Sequence, residues 1–196
     1  DGEGAVPEED LRDEAAPQRP APAADQVHRQ HAQERRHVVV LVEPDQLGES
    51  GQVGHRLKAL ATLYGSRPAL IHQDAPISFA ELAGGARHVA ASLARLGVSK
   101  GTRVDILMPN QPDWLYCAFG AWRLGAIIAP INTLFRGAEL LYALQHADVT
   151  VLLMVSQFLN HDYQAILSER CPEVASGTVP LRSEAAPCLR YVVCQG

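Results

Sequence analysis

The 196-residue sequence has few cysteines and lacks the spacing patterns that most often indicate a metal or nucleotide site. Its four cysteines include no Cys-x-x-Cys pair. This spacing is typical of reduced thiols and disfavours both a zinc site and a disulfide framework. Neither a Gly-x-Gly-x-x-Gly nor a Gly-x-x-x-x-Gly-Lys pattern occurs. The sequence therefore does not support a dinucleotide-binding or Walker-type nucleotide site.

Long uninterrupted apolar runs are also absent from the sequence. The longest run, Leu115–Ile131, contains Arg123, Gly125 and Pro130, whereas a membrane-spanning helix needs about 20 predominantly apolar residues. The first residues are acidic and rich in proline and alanine, with no apolar segment of the kind found in secretory signals. We therefore expect no membrane span and a cytoplasmic location.

Charge is concentrated at the start of the chain. Residues 1–25 hold eight acidic and two basic side chains, while the net charge of the whole chain is −5, so the remainder is close to neutral. The basic stretch His28–His37 is short and includes Glu34, which is typical of a solvated helix face. This balance predicts no nucleic-acid partner.

Composition divides the chain into three parts. Residues 1–36 are predicted to form a disordered tail, because they hold too little apolar surface to become ordered by burial. Residues 37–66 form a poorly defined connecting segment, in which a short strand is predicted at Val38–Val42 and an amphipathic helix at Leu57–Tyr64. Residues 67–196 have the alternating apolar pattern of an α/β domain.

The first helix of this α/β domain has a recognisable start and end. Ser78 and Glu81 form a Ser-x-x-Glu capping box, and Gly97 suits the left-handed backbone conformation that often ends a helix. Apolar residues recur between these positions at helical spacing. Gly84 and Gly85 interrupt the pattern and either weaken the helix or allow it to pack closely on the sheet.

Apolar strands and helical segments alternate in the rest of the domain. We predict strands at Val104–Met108, Ala126–Ile131, Val149–Met154 and Leu189–Cys194, and helices beginning near Pro112, at Glu139–His146 and at Phe158–Leu167. This alternation predicts a doubly wound, mostly parallel sheet. Because Ala126–Ile131 is almost continuously apolar, we expect it to be a central strand covered on both faces.

Five short segments of this region share a characteristic order and spacing. In chain order they are Ile77–Leu82 (ISFAEL), Gly97–Val104 (GVSKGTRV), Pro109-Asn110, Gly120–Asn132 (GAWRLGAIIAPIN) and Glu139–Asp148 (ELLYALQHAD). Together they resemble the core motifs of the acyl-CoA synthetase group of adenylate-forming, AMP-binding enzymes. Two positions depart from the family pattern, since Thr102 stands where aspartate is usual and Leu124 where alanine is usual.

This resemblance implies a fold and an activity. The α/β region is expected to be an incomplete doubly wound sheet, the first subdomain of the adenylate-forming enzyme fold. Members of the group convert a carboxylic acid and ATP to an acyl-adenylate and usually transfer the acyl group to coenzyme A. The resemblance thus implies ATP, Mg²⁺ and coenzyme A for the full-length family member, with a fatty acid or aryl acid as substrate. Segments Asn132–Gly137 and Phe158–Tyr163 are more similar to acyl-CoA ligases than to peptide-synthetase adenylation domains.

The segments that perform this chemistry in the family are not found in the sequence. The family's phosphate loop is rich in serine, threonine and glycine and ends in Pro-Lys-Gly, and its catalytic lysine lies in a mobile C-terminal domain. Ser176-Gly177-Thr178 resembles the middle of that loop, but Val179-Pro180 follow it, and it precedes the last predicted strand instead of following it. We therefore assign no catalytic, cofactor-binding or metal-binding residue in this chain.

Several further polar residues have structural explanations. The adjacent pair His161-Asp162 would point apart on a helix, and we expect a solvated helix start there. His88 and His146 have no second ligand four residues away, which disfavours a metal site. Asn110 and Asn132 follow strands, where open sheets bind ligands, but asparagine at such positions also caps turns through its side chain.

The sequence favours one function without excluding three more. We predict the N-terminal part of an ATP-dependent carboxylic acid–CoA ligase, acting through an acyl-adenylate in fatty acid metabolism, with residues 1–196 inactive by themselves. The first alternative is a non-catalytic truncated form or interaction module of the same family. The second is an adenylation domain that does not use coenzyme A, and the third is an unrelated doubly wound α/β protein.

Overall fold

A computed structural model describes residues 53–195 of the chain. The predicted tail, residues 1–36, and the predicted strand at Val38–Val42 lie outside the described residues. Within the described range, no helix is both long enough and apolar enough to cross a membrane.

Helices and strands alternate along the described chain. The helices are α1 (Val53–Tyr64), α2 (Phe79–Arg95), α3 (Pro112–Arg123), α4 (Gly137–His146) and α5 (Tyr163–Arg170), and a 3₁₀ helix covers Pro172–Val174. The strands are β1 (Pro68–His72), β2 (Ala75–Ser78), β3 (Arg103–Leu107), β4 (Ile127–Pro130), β5 (Val151–Val155), β6 (Gln157–Phe158), β7 (His161–Asp162) and β8 (Tyr191–Gln195).

Four of these strands form a parallel sheet in the order β4-β3-β5-β8. Its register places Asp105 of β3 opposite Ala129 of β4 and Leu152 of β5. The remaining strands form two small antiparallel pairs, β1 with β2 and β6 with β7. Parallel neighbours require crossover connections, and α3, α4 and α5 lie in the three crossovers of this sheet.

Helices cover both faces of the sheet. Side chains of α2 and α3 pack with Val104 and Ile106 of β3 in one apolar cluster. Side chains of α4 and α5 pack with Leu107 and Leu152 in a second cluster on the opposite face, as the alternation of side chains along a strand requires. Leu57 of α1 belongs to a third cluster with β1 and α2. The predicted doubly wound α/β architecture is confirmed.

The position of β4 differs from the prediction. The sequence predicts a central strand at Ala126–Ile131, and this is wrong, because among the strands of residues 53–195 β4 lies at an edge of the sheet beside β3. Ile127 is accordingly 53% exposed. After β4 the chain crosses back over β3 and places β5 on the far side of that strand. The apolar content of a strand indicates how far it is buried, but it does not indicate which strands lie beside it in the sheet.

The start of α5 also differs from the prediction. The sequence predicts a helix at Phe158–Leu167, but the helix begins at Tyr163, because Asp162 caps it by accepting a hydrogen bond from the backbone N–H of Ala165 at 2.8 Å. The preceding residues form the β6–β7 hairpin, in which Phe158 pairs with His161. His161-Asp162 therefore lies at the helix start, as expected.

The signals at the two ends of α2 are confirmed. The hydroxyl of Ser78 accepts a hydrogen bond from the backbone N–H of Glu81 at 3.2 Å, and the Glu81 carboxylate accepts one from the backbone N–H of Ser78 at 2.8 Å. The backbone N–H and the hydroxyl of Ser78 both donate to the Glu81 carboxylate, and these two hydrogen bonds lower the pKa of Glu81. Beyond the opposite end, Gly97 has a positive φ of 83°, a conformation that costs glycine little.

Gly85 of α2 packs against a helix and not against the sheet. A Cβ at Gly85 would lie 2.6 Å from the ring of Tyr116 on α3, whereas a Cβ at Gly84 would meet no atom within 4 Å. On α3, a Cβ at Gly120 would lie 2.8 Å from the Cβ of Val89. Close packing is therefore confirmed at Gly85, but its partner is α3.

Candidate functional site

The carboxyl ends of the four parallel strands meet at one edge of the sheet, which we call the carboxyl edge. Asn110 follows β3, Asn132 follows β4, Ser156 follows β5, and Gln195 ends β8. Ligands of open α/β sheets bind outside this edge. The geometry of the fold therefore makes the carboxyl edge the candidate functional site.

The chain reverses its winding direction between β3 and β5. The helix that follows β3 packs on one face of the sheet, and the helix that follows β5 packs on the opposite face. The loops that leave these two neighbouring strands consequently turn toward opposite faces of the sheet, and this topology predicts a ligand crevice between them. Gln111 and Ser156 stand on the two sides of this crevice.

Hydrogen bonds connect the loops that border the crevice. The side-chain amide of Gln111 donates to the side-chain oxygen of Gln195 at 3.4 Å. The backbone N–H of Ser156 donates to the carbonyl of Gln195 at 3.0 Å, and its own carbonyl accepts from the N–H of Tyr163 at 3.0 Å. The ends of β3, β5 and β8 are thus held in one arrangement.

The loop after β4 is anchored by two further hydrogen bonds. The side-chain oxygen of Asn132 accepts from the backbone N–H of Leu134 at 2.9 Å, which confirms the turn-capping interpretation of this residue. The hydroxyl of Tyr163, which is fully buried, donates to the carbonyl of Thr133 at 2.5 Å. Burial raises the pKa of Tyr163 to about 12, so the hydroxyl remains a proton donor at neutral pH.

The remaining sequence candidates do not converge on the crevice. Asn110 is exposed in the loop after β3, and His88 is exposed on α2. His146 stacks on Tyr142 with ring centroids 5.4 Å apart, and His161 stacks on Tyr163. In the part of the chain that the structure describes, no group of three histidine, cysteine or acidic residues is placed to hold a metal ion.

The resemblance implies ATP and Mg²⁺, and the described residues of the carboxyl edge do not form a complete site for them. A polyphosphate requires cations or several convergent backbone N–H groups, and Mg²⁺ requires carboxylate oxygens. Gln111, Asn132 and Gln195 offer neutral amides, Arg136 is a single exposed cation in the loop before α4, and Asp162 already caps α5. Ser176-Gly177-Thr178 precedes β8, so it lies away from this edge, and the Ser176 hydroxyl donates to the carbonyl of Glu173.

Replacement of Tyr163 by phenylalanine tests how the loop after β4 is held. We expect the free energy of unfolding to fall by about 1 kcal/mol, because one buried hydrogen bond is lost and the Thr133 carbonyl loses its donor. Hydrogen exchange in residues 132–136 should quicken more than exchange in β5. Tyr142→Phe, at an exposed tyrosine, is the control. Equal exchange in this loop before and after Tyr163→Phe would contradict the anchoring role.

Comparison with known proteins places the chain among the AMP-binding enzymes. The model of that family matches residues 57–191. The human mitochondrial medium-chain acyl-CoA ligase ACSF2 is 29% identical over 147 residues, which are 74% of this chain and 24% of that protein. The crotonobetaine/carnitine–CoA ligase of Salmonella paratyphi A is 35% identical over 104 residues, which are 50% of this chain and 20% of that protein.

Solved structures with the same fold include two CoA ligases. The anthranilate CoA ligase AuaEII superposes with a TM-score of 0.61 at 22% identity, over 79% of this chain and 27% of that one. A Mycobacterium tuberculosis fatty acyl CoA synthetase gives a TM-score of 0.58 at 21% identity, over 74% of this chain and 26% of that one. The chain spans about a quarter of the length of the curated relatives it matches. Because the family model covers more than half of the residues, the chain belongs to the AMP-binding enzyme family.

Proposed function

We propose that this chain is the first α/β subdomain of an ATP-dependent carboxylic acid–CoA ligase that acts through an acyl-adenylate. The observation that carries the proposal is the family match over residues 57–191, combined with relatives that are themselves CoA ligases. One of these relatives acts on medium-chain acyl groups and another on crotonobetaine or carnitine, so the shared chemistry is thioester formation from a carboxylic acid.

The subdomain contributes a rigid wall to the proposed active site. At its carboxyl edge the ends of β3, β5 and β8 are joined by hydrogen bonds of Gln111 and Ser156, so the loops after these three strands are arranged before a ligand binds. Preorganised walls reduce the entropy cost of positioning two reactants. In this proposal ATP, Mg²⁺ and coenzyme A are held by residues outside the described range, and residues 1–196 by themselves do not form acyl-AMP.

The finer parts of the proposal concern substrate and location. We propose a fatty acid or aryl acid as the substrate, in keeping with the medium-chain ligase and the anthranilate ligase among the similar proteins. A cytoplasmic location is proposed because the four cysteines are free, which is typical of a reducing compartment, although one curated relative is mitochondrial.

A fusion tests the proposed activity. Residues 1–196 would be joined to the part of human ACSF2 that follows its matching segment, and acid-dependent pyrophosphate release and acyl-CoA formation would be measured with a medium-chain fatty acid. We expect both products from the fusion and neither product from residues 1–196 or from the ACSF2 part when each is assayed separately.

Three outcomes of this experiment distinguish the competing functions. A fusion that unfolds in one cooperative thermal transition but releases no pyrophosphate contradicts the ligase proposal and favours a non-catalytic module. Pyrophosphate release without acyl-CoA indicates adenylation that does not proceed to the thioester. Acyl-AMP formation by residues 1–196 would show that the chain contains a phosphate site that its motifs do not reveal.

A further inference from the structure

Asp105 is a buried carboxylic acid in the middle of the four-stranded sheet. Its exposed fraction is 1%, and among residues 53–195 neither carboxylate oxygen has a hydrogen-bond partner. The residues of β3 that are buried with it, Val104, Ile106 and Leu107, are apolar. Buried carboxylates are normally paired or hydrogen-bonded, because an uncompensated buried charge is costly. Asp105 therefore differs from an ordinary strand residue.

Within the part of the chain that the structure describes, the surroundings of Asp105 contain no compensating charge. Its neighbours in register are Ala129 and Leu152, and alternation places it on the face of Leu107, which α4 and α5 cover. The charged or titratable residues on the elements of this face are Arg103, Glu139, Tyr142, His146, Asp148, Glu169 and Arg170, which are exposed, Glu173, which is partly buried, and Tyr163 and Cys171, which are buried.

None of these residues, whether exposed or buried, neutralises the charge of Asp105. Arg103 is paired with Asp148 at 2.9 Å, with both side chains about half exposed. Burial raises the pKa of Tyr163 and of Cys171, so both are uncharged near neutral pH. Burial also raises the pKa of Asp105 to about 7, an effect that the nearby backbone N–H of Ala129 opposes only in part. The carboxyl group thus changes its charge near neutral pH inside an apolar layer.

The two sides of β3 are not equally able to admit water to this carboxylate. On the β5 side, Leu152 is fully buried. On the β4 side, Ala129 is small and only partly buried, and Ile127 is 53% exposed. Separation of β4 from β3 therefore provides a route by which an ionised Asp105 reaches water.

We propose that Asp105 is a proton-dependent switch for edge strand β4. While the carboxyl group is neutral, β4 remains paired with β3, and loss of the proton favours a state in which β4 separates and water reaches the carboxylate. The loop that follows β4 contains Asn132 and Thr133, so the same opening displaces part of the carboxyl edge. The proposal rests on the burial of Asp105 and is independent of the ligase function.

Hydrogen exchange measured by mass spectrometry between pH 6 and pH 8 tests this switch in the 196-residue chain. After correction for the pH dependence of chemical exchange, we expect opening of residues 127–131 to increase about tenfold, as linkage to a group that titrates near pH 7 predicts. The opening of residues 151–155 in β5 should change by less than about threefold, because the opening of β5 is not the motion that first exposes Asp105 to water.

Two variants separate the switch from general effects of pH. Asp105→Asn has nearly the same shape and no charge, and it should abolish the pH dependence in β4. Asp74→Asn makes the same chemical change at an exposed turn and should leave the pH dependence intact. If β4 of the unchanged chain shows no pH dependence, or if Asp105→Asn retains it, the proposal is wrong. If Asp105→Asn does not fold, carboxyl NMR of the unchanged chain decides, and titration of Asp105 near pH 4 overturns the proposal.

Discussion

Replacement of Asp105 by alanine should raise the free energy of unfolding by about 2 kcal/mol at pH 8. Burial raises the pKa of this carboxyl group from its usual 3.8 to about 7, so at pH 8 the folded chain holds an ionised group in an apolar layer. A shift of one pKa unit corresponds to about 1.4 kcal/mol, which would give up to about 4 kcal/mol in total. Alanine leaves a small cavity, and movement of β4 admits some water, so the expected gain is smaller.

The sign of the pH dependence follows from proton binding. Between about pH 4 and pH 7 the folded state retains the Asp105 proton that the unfolded state has lost, so stability decreases as the pH rises through this window. Above pH 7 the contribution becomes constant. The advantage of Asp105→Ala should therefore be largest at pH 8 and small or reversed at pH 4.5, where the neutral carboxyl group is present in the original chain. Glu81, with a lowered pKa, contributes in the opposite direction and only at lower pH.

Chemical denaturation at pH 4.5, 6 and 8 measures this prediction directly. Asp74→Asn is the control, because it removes an exposed carboxylate at a positive φ of 63° that asparagine tolerates, and it should change stability by less than about 0.5 kcal/mol at each pH. If the free energy of unfolding depends on pH in the same way for Asp105→Ala and for the original chain, then Asp105 does not titrate between pH 4.5 and pH 8 in the folded state. Such a result would also contradict the switch at β4, whereas an active fusion with the ACSF2 part would remain unaffected by it.

Local features of this fold could be predicted from the sequence. The capping box at Ser78 and Glu81 and the left-handed turn at Gly97 depend on contacts within a few residues, and the structure confirms them. The four parallel strands are apolar enough to be located from composition. The order of the strands was not accessible in this way, because it depends on which face each crossover helix covers, and the prediction for Ala126–Ile131 was wrong for that reason.

The candidate site shows the same division between local and distant contacts. The turn formed by Asn132 follows from a residue two positions away and was anticipated. Gln111 and Gln195 were missed, because they are 84 positions apart and meet only once β3, β5 and β8 are aligned. Tyr163 was likewise missed as the anchor of Thr133. Asp105 is visible in the sequence as a single acidic residue within an otherwise apolar strand. It was interpreted only as part of that strand, and no separate role was predicted for it.

Replacement of Gly120 by alanine should lower the free energy of unfolding by about 1–2 kcal/mol. The added Cβ would lie 2.8 Å from the Cβ and Cγ1 of Val89 and 3.0 Å from the carbonyl oxygen of Ala86. Val89 is β-branched and has little rotamer freedom on a helix, and the carbonyl oxygen belongs to the backbone of α2. The two helices must therefore move apart, which weakens the apolar cluster between them and the sheet.

Three glycine variants separate helix packing from helix propensity. Gly84→Ala meets no atom within 4 Å, so it should stabilise the chain by about 0.5–1 kcal/mol through backbone entropy. Gly85→Ala would place its Cβ 2.6–2.9 Å from Cδ1, Cε1 and Cγ of the Tyr116 ring. Tyr116 is only partly buried and can yield by a rotamer change, so this variant should fall between Gly84→Ala and Gly120→Ala. The expected order of stability in denaturation experiments is Gly84→Ala, then Gly85→Ala, then Gly120→Ala. If Gly120→Ala is as stable as Gly84→Ala, then α2 and α3 do not pack at the distance described. The apolar cluster between α3 and the sheet would then form without a glycine at position 120.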